Sequence, residues 1–169
     1  LYSKKLCKLN PQVLKPAILG FSAIKPVQML VNVSYNNPEL RRKIDEMVGK
    51  PFTLRERWEL KGIGSPKLII TGCSAEIHNL LVLDNNRDSC NIELRPRGII
   101  VRFRSLLETY GLIIPYYKLT LFKGDIGVYS VHVDNHFIRV QADTKAIQKF
   151  FVKLLGCKAD QTPEGPPNF

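Results

Sequence analysis

The segment 128–142, VYSVHVDNHFIRVQA, decides the fold. Apolar and polar residues alternate on both sides of Asp134-Asn135, which is the period of a half-buried strand. Asn suits the positive φ of a two-residue turn, and Asp tolerates it. A hairpin is expected, with Val133 facing His136, His132 facing Phe137, Val131 facing Ile138 and Tyr129 facing Val140. Successive side chains point to opposite faces. Val131, Val133, His136, Ile138 and Val140 therefore share one face, and His132, Phe137 and Arg139 the other. Two histidines on opposite faces cannot hold one metal ion. The HxxxH spacing would serve a metal on a helix, but the flanking Val, Ile and Phe belong to strands.

Downstream, DTKAIQKFFVKLLG (143–156) reads as an amphipathic helix. Asp143 or Thr144 can cap it, Ile147, Phe150, Phe151, Leu154 and Leu155 form its stripe, and Gly156 stops it. Residues 157–169 are rich in Pro and Gly and are expected to be disordered. Upstream, turn chemistry divides short apolar runs. NLLVLDNN (79–86), SCNIEL (89–94) and IIVRFRS (99–105) each read as a strand, and RPRG (95–98) as a tight turn. In IIVRFRS, Ile99, Val101 and Phe103 point one way, and Ile100, Arg102 and Arg104 the other. YGLIIPYYKLTLFKG (110–124) supplies one bent strand or two, with Pro115 as a break or an edge.

The N-terminal part has a different texture. Residues 1–26 are irregular, interrupted by Pro11, Pro16 and Pro26. VQMLVNVSY (27–35) alternates like a strand. NNPELRRKIDEMVGKP (36–51) has a full helix grammar: Asn37 as cap, Pro38 in the first turn, Glu39 near the positive dipole end, and Gly49 and Pro51 as the stop. Leu40, Ile44, Met47 and Val48 share its apolar face. FTLRERWELKG (52–62) alternates and is expected to be a strand, and helical spacing fits it too. The Gly/Ser/Pro turn at 62–66 is the expected boundary, followed by the strand KLIITG (67–72).

Composition narrows the function classes. The 169 residues suffice for one domain with a real core. No apolar run approaches the roughly 20 residues of a membrane span. The chain opens at Leu1 rather than Met, shows no signal-peptide pattern, and is read as a trimmed or partial chain. The net charge is +10, and 11 of the 25 Lys and Arg fall in the first 60 residues against five of the 15 Asp and Glu. Such a balance favours anionic membranes, nucleic acid or acidic proteins. The four cysteines, at 7, 73, 90 and 157, match neither a zinc site nor a compact disulfide framework. Free thiols are expected, which favours a reducing, cytoplasmic compartment.

Chemistry-bearing clusters are few. Cys73 and His78 lie close together in TGCSAEIH, without a recognisable nucleophile turn around them. No Gly-rich phosphate loop is present. Arg95, Arg97, Arg102 and Arg104 occupy one turn and the strand after it, and guanidinium forks grip phosphate in pairs. They are the candidate site for an anion or phosphorylated headgroup. Phe103 points away from Arg102 and Arg104, so base stacking is poorly served and nucleic acid is disfavoured.

The phrases GIIVRF, GLIIPYYKLTLF, the hairpin and DTKAIQKFFVKLL, taken in order, resemble the pleckstrin-homology-like superfold, in particular its bacterial PH-like and GRAM-like domains. IIPYYKLTLF resembles an "IPY.KI" strand phrase of those domains, and the last helix the one that plugs the open barrel end. The likeness spans about half of the chain. It implies seven short antiparallel strands and one closing helix between residues 78 and 156. Many eukaryotic members bind phosphoinositides through Lys and Arg on their first hairpin, whereas here the four arginines fall on the second and third strands.

The expectation is an α+β protein. A strand-helix-strand extension (1–65) packs on a PH-like curved antiparallel sheet or barrel with a capping helix (66–156), and a tail follows (157–169). The expected role is a non-catalytic binding or scaffolding module, without cofactor or metal. It attaches weakly to anionic membrane, peripherally, or pairs with protein through a sheet edge.

Overall fold

A computed structural model describes residues 29–161 apart from 86, 125 and 126. The elements, in order, are β1 (Leu30–Asn32), α1 (Pro38–Val48), α2 (Leu54–Glu59), β2 (Leu68–Cys73), α3 (Ala75–Leu81), β3 (Ser89–Arg95), β4 (Gly98–Ser105), β5 (Glu108–Pro115), β6 (Thr120–Lys123), β7 (Val128–Val133), β8 (His136–Gln141) and α4 (Lys145–Gln161). The protein is α+β. All eight strands join one antiparallel sheet in the order β1-β5-β4-β3-β2-β8-β7-β6.

The hairpin β7–β8 has the expected register, with Val133 opposite His136, His132 opposite Phe137, Val131 opposite Ile138 and Tyr129 opposite Val140. Its turn departs in one respect, since positive φ is confined to Asp134 (φ 48°) and Asn135 does not share it. Val131, Val133, Ile138 and Val140 are buried in the core. His136 Nε2 lies 3.0 Å from Glu76 of α3. His132 stacks on Phe137 across the strands and meets the edge of Phe122. The two imidazoles are on opposite faces.

Alternation also places the rest of the core. Ile99, Val101 and Phe103 of β4 enter the main cluster with Ile92, Leu94, Leu112 and Ile114. Helix α4 closes this cluster with Ile147, Phe150, Phe151 and Leu154, and Phe151 stacks on Tyr129 at 4.1 Å. The opposite face of β4 and β5 carries Ile100 and Ile113, which α1 covers with Val48, Ile44 and Met47. Burying side chains of this size stabilises by about 1.5–3 kcal/mol each. Helix α1 is capped as expected, since Asn37 Oδ1 accepts from the amides of Glu39 and Leu40. β4 begins where the sheet meets α1. There Gly98 is hemmed in by Val48 and Pro115, so close that a Cβ would lie 2.7 Å from Val48 Cγ1.

Five expectations need correction. Residues 54–59 are helix α2, not a strand, because Thr53 and Glu56 form a reciprocal capping box that nucleates a turn. The extension is therefore strand-helix-helix. NLLVLDNN is not a strand either: Ile77 and Leu81, one helical turn apart, are both buried, and α3 carries the chain through Leu81 into a loop. Residues 89–141 thus supply six strands, and β2 is the seventh. The strand expected over 27–35 is cut to Leu30–Asn32, and residues 27 and 28 lie outside the described residues. Gly156 does not stop α4, which runs to Gln161. Lys158 Nζ donates to the carbonyl of Leu119 at 2.7 Å and anchors the added turn. Residues 157–161 are therefore helical. The readings made for 1–26 and 162–169 fall outside the described residues.

The junction at 62–66 is itself bonded to the sheet. The amide of Leu94 donates to the carbonyl of Ile63, and that of Ser65 to Ile92. β1 pairs with β5, and α1 packs on the outer faces of β4 and β5, with Met47 against both hydrophobic clusters.

Candidate functional site

The four arginines lie on or beside the outer sheet face, but they do not form one open cluster. Arg95, at the end of β3, is only 7% exposed. Its Nε donates to Glu93 Oε1 at 2.7 Å, and its Nη1 reaches Asp45 of α1 and the carbonyl of Gly49, each at 3.4 Å. Arg102, one strand over, donates to the other carboxylate oxygen of Glu93. Arg97 reaches back over the turn and donates to the carbonyls of Asp45, which also accepts from the Gly49 amide, and Glu46 in the last turn of α1. Two of the four guanidiniums, those of Arg95 and Arg97, thus tie α1 to the sheet, and Arg102 pairs within the sheet. Buried charge requires such pairing, because desolvation of an unpaired ion is costly.

Arg104 stands apart. It is exposed, and its Nε donates to the carbonyl of Leu106 at 3.0 Å in the β4–β5 turn. It lines a depression of about 390 Å3 with Lys67, Arg87, Ser89, Asp84 and Asp88. Three cations against two carboxylates leave a surplus of one positive charge there.

Exposed apolar side chains stand on the two loops that also carry Asp84 and follow Arg104. Val82 and Leu83, after α3, are 63% and 59% exposed. Leu106 and Leu107, in the β4–β5 turn, are 54% and 87% exposed. The two loops are joined: the Leu106 amide donates to Asp84 Oδ2 at 3.1 Å, and Ser105 Oγ donates to the carbonyl of Leu80. Leu106 holds a φ of 53°, which costs a bulky residue about 1–2 kcal/mol relative to glycine. A turn could avoid that cost with Gly or Asn, yet a leucine is held there facing solvent. Sequence reading missed this end of the molecule because 79–86 was assigned to a strand. The adjacent pairs Val82-Leu83 and Leu106-Leu107 were its only signal.

The Cys73 thiol is pushed up by burial and by the charge of Asp88, away from the thiolate that a nucleophile needs. Among the described residues, no group of three His, Cys, Asp or Glu side chains could hold a metal ion. No helix among them is long and apolar enough to cross a membrane.

Comparison of the chain with protein-family models, curated proteins and solved structures finds no match.

Proposed function

We propose that this protein is a non-catalytic module that attaches peripherally to anionic membrane surfaces, with the end bearing Arg104 turned to the bilayer. The observation that carries this reading is the pairing of exposed Val82, Leu83, Leu106 and Leu107 with Lys67, Arg87 and Arg104. Apolar tips enter the acyl boundary while neighbouring cations meet anionic headgroups. A surplus of one charge, with four apolar tips, makes for weak and salt-sensitive binding. The order of β2 to β8, a run of seven strands with β2 beside β8, followed by α4, supports a PH-like arrangement. On that reading α3 is inserted in the first strand connection, and α1 and β1 are additions on the outer face and edge.

Co-sedimentation with phosphatidylcholine vesicles, with and without phosphatidylserine, tests this at low and high salt. Binding is expected only to the anionic vesicles. It should fall as the screening length drops below about 10 Å, and it should weaken in both Arg87→Glu/Arg104→Glu and Leu107→Asp. Binding that ignores both variants, or its absence, rejects the reading.

A second reading rests on β6, a sheet edge of four residues with Phe122 half exposed. Such an edge can accept a strand from a partner or a second copy. Salt-indifferent growth of mass with concentration would favour it.

A further inference from the structure

A groove of about 530 Å3 runs between α1 and the outer sheet face. Its apolar lining comes from Val33, from Leu40 and Ile44 of α1 and from the nearly buried Ile100 of β4, and Arg41, Arg95 and Arg102 line it as well. The volume falls within the roughly 300–1,000 Å3 of small-molecule sites, which likewise combine apolar lining with a few fixed polar groups.

The charges around the groove define what fits. Arg41, Arg95 and Arg102 face Asp45 and Glu93, which leaves one positive charge over. Glu93 is shared by Arg95 and Arg102, and Asp45 is reached by Arg95. Arg41 has no ion-pair partner among the described residues, although its neighbour Arg42 pairs with Glu46. Arg95 is fixed in place through Nε and Nη1, and its Nη2 meets no acceptor among the described residues. Among the described residues, the groove therefore presents one cation without an ion-pair partner and one held, part-committed guanidinium beside apolar side chains.

We infer that this groove binds a small amphipathic monoanion, a carboxylate with an acyl or aryl body. Its carboxylate lies between Arg41 and Arg95, and its body lies along Val33, Leu40 and Ile44. A single negative charge neutralises the surplus, whereas a dianion such as a phosphate monoester would exceed it. Guanidinium–carboxylate hydrogen bonds are among the stronger polar contacts and supply orientation as well as affinity. This site does not depend on the membrane reading, because its anchor, Arg41, belongs to α1 and not to the loop end.

Titration calorimetry with dodecanoate, kept below its micelle concentration, tests the inference on the full chain. One dodecanoate per chain is expected to saturate the protein. Acetate lacks the body and dodecyltrimethylammonium carries the wrong charge, and both should bind at least about tenfold more weakly. Arg41→Ala, at an exposed position, and Leu40→Glu, which brings a carboxylate into the groove, should each weaken dodecanoate about tenfold or more without altering the thermal midpoint of Arg41→Ala. Leu107→Asp should leave it unchanged. Equal binding of the three probes, several dodecanoates per chain, loss of binding in Leu107→Asp, or unchanged affinity in folded Arg41→Ala overturns the inference.

Discussion

Arg95 and Glu93, two residues apart on β3, meet side by side on the outer sheet face, with Nε 2.7 Å from Oε1. Glu93 also serves Arg102, so one carboxylate holds two guanidiniums beneath α1. Glu93→Ala should destabilise the protein by about 1.5–3 kcal/mol, because the nearly buried Arg95 then keeps only its 3.4 Å contacts with Asp45 and the Gly49 carbonyl. Arg102→Ala should cost under about 1 kcal/mol, since Arg102 is far more exposed. Urea unfolding midpoints of the two variants measure the contrast. Arg102→Glu would set a carboxylate against Glu93, so vesicle experiments should charge-reverse Arg87 and Arg104 and leave Arg102 alone.

Gly98 should tolerate no side chain. A Cβ there would sit 2.7 Å from Val48 Cγ1 and 2.9 Å from Pro115 Cα, in the seam where α1 docks. Gly98→Ala is expected to cost about 1–3 kcal/mol by overpacking, read as a lowered thermal midpoint.

Leu106 links stability to attachment. Leu106→Gly relieves the cost of its left-handed φ and should stabilise the fold by about 1 kcal/mol. The same change removes an apolar tip and should reduce binding to anionic vesicles. Chemical unfolding and sedimentation of one preparation report both effects.

His132 imposes a pH dependence. Burial, with the nearby charge of Arg139, holds its imidazole below the usual value of 6.5. The unfolded chain takes up that proton at higher pH than the native protein does. Stability present above pH 6.5 is therefore lost as pH falls towards the lowered value. His132→Phe keeps the stacking on Phe137 and removes the proton, so wild type should lose stability relative to this variant between pH 7.5 and 5.5.

Burial pushes the Cys90 thiol up to about 12, so it should resist alkylation in the native state. Cys73 and Cys157 are only partly buried and should react first. Site-resolved mass spectrometry after brief iodoacetamide treatment, with and without urea, separates these three among the four cysteines.

Much of the strand and helix content was legible because local chemistry was unambiguous. The Asp134-Asn135 turn between alternating runs set a register, and Asn37, Pro38 and Gly49 bounded α1. Segment 54–59 was misread because LRERWE alternates as well as it turns. The capping box of Thr53 and Glu56 decides between the two, and Leu54 and Trp58 stay exposed, so no burial pattern marked either face. Gly156 was read as a stop, but Cys157 and Lys158 found contacts on the 116–119 segment that made a further turn favourable.

The candidate site was legible only as a list of arginines. Period-2 spacing put Arg102 and Arg104 on one face, and they are there, yet two residues of separation gives them different neighbours. Arg102 meets Glu93, while Arg104 meets the loop after α3. For β4, β7 and β8 the sequence by itself determined which side chains face inward, because strand alternation is a local property of the backbone. Only the tertiary structure decided which arginines are spent on α1 and which stay free. Ion pairing depends on the approach of residues as far apart as Asp45 and Arg95, and no local pattern encodes that distance.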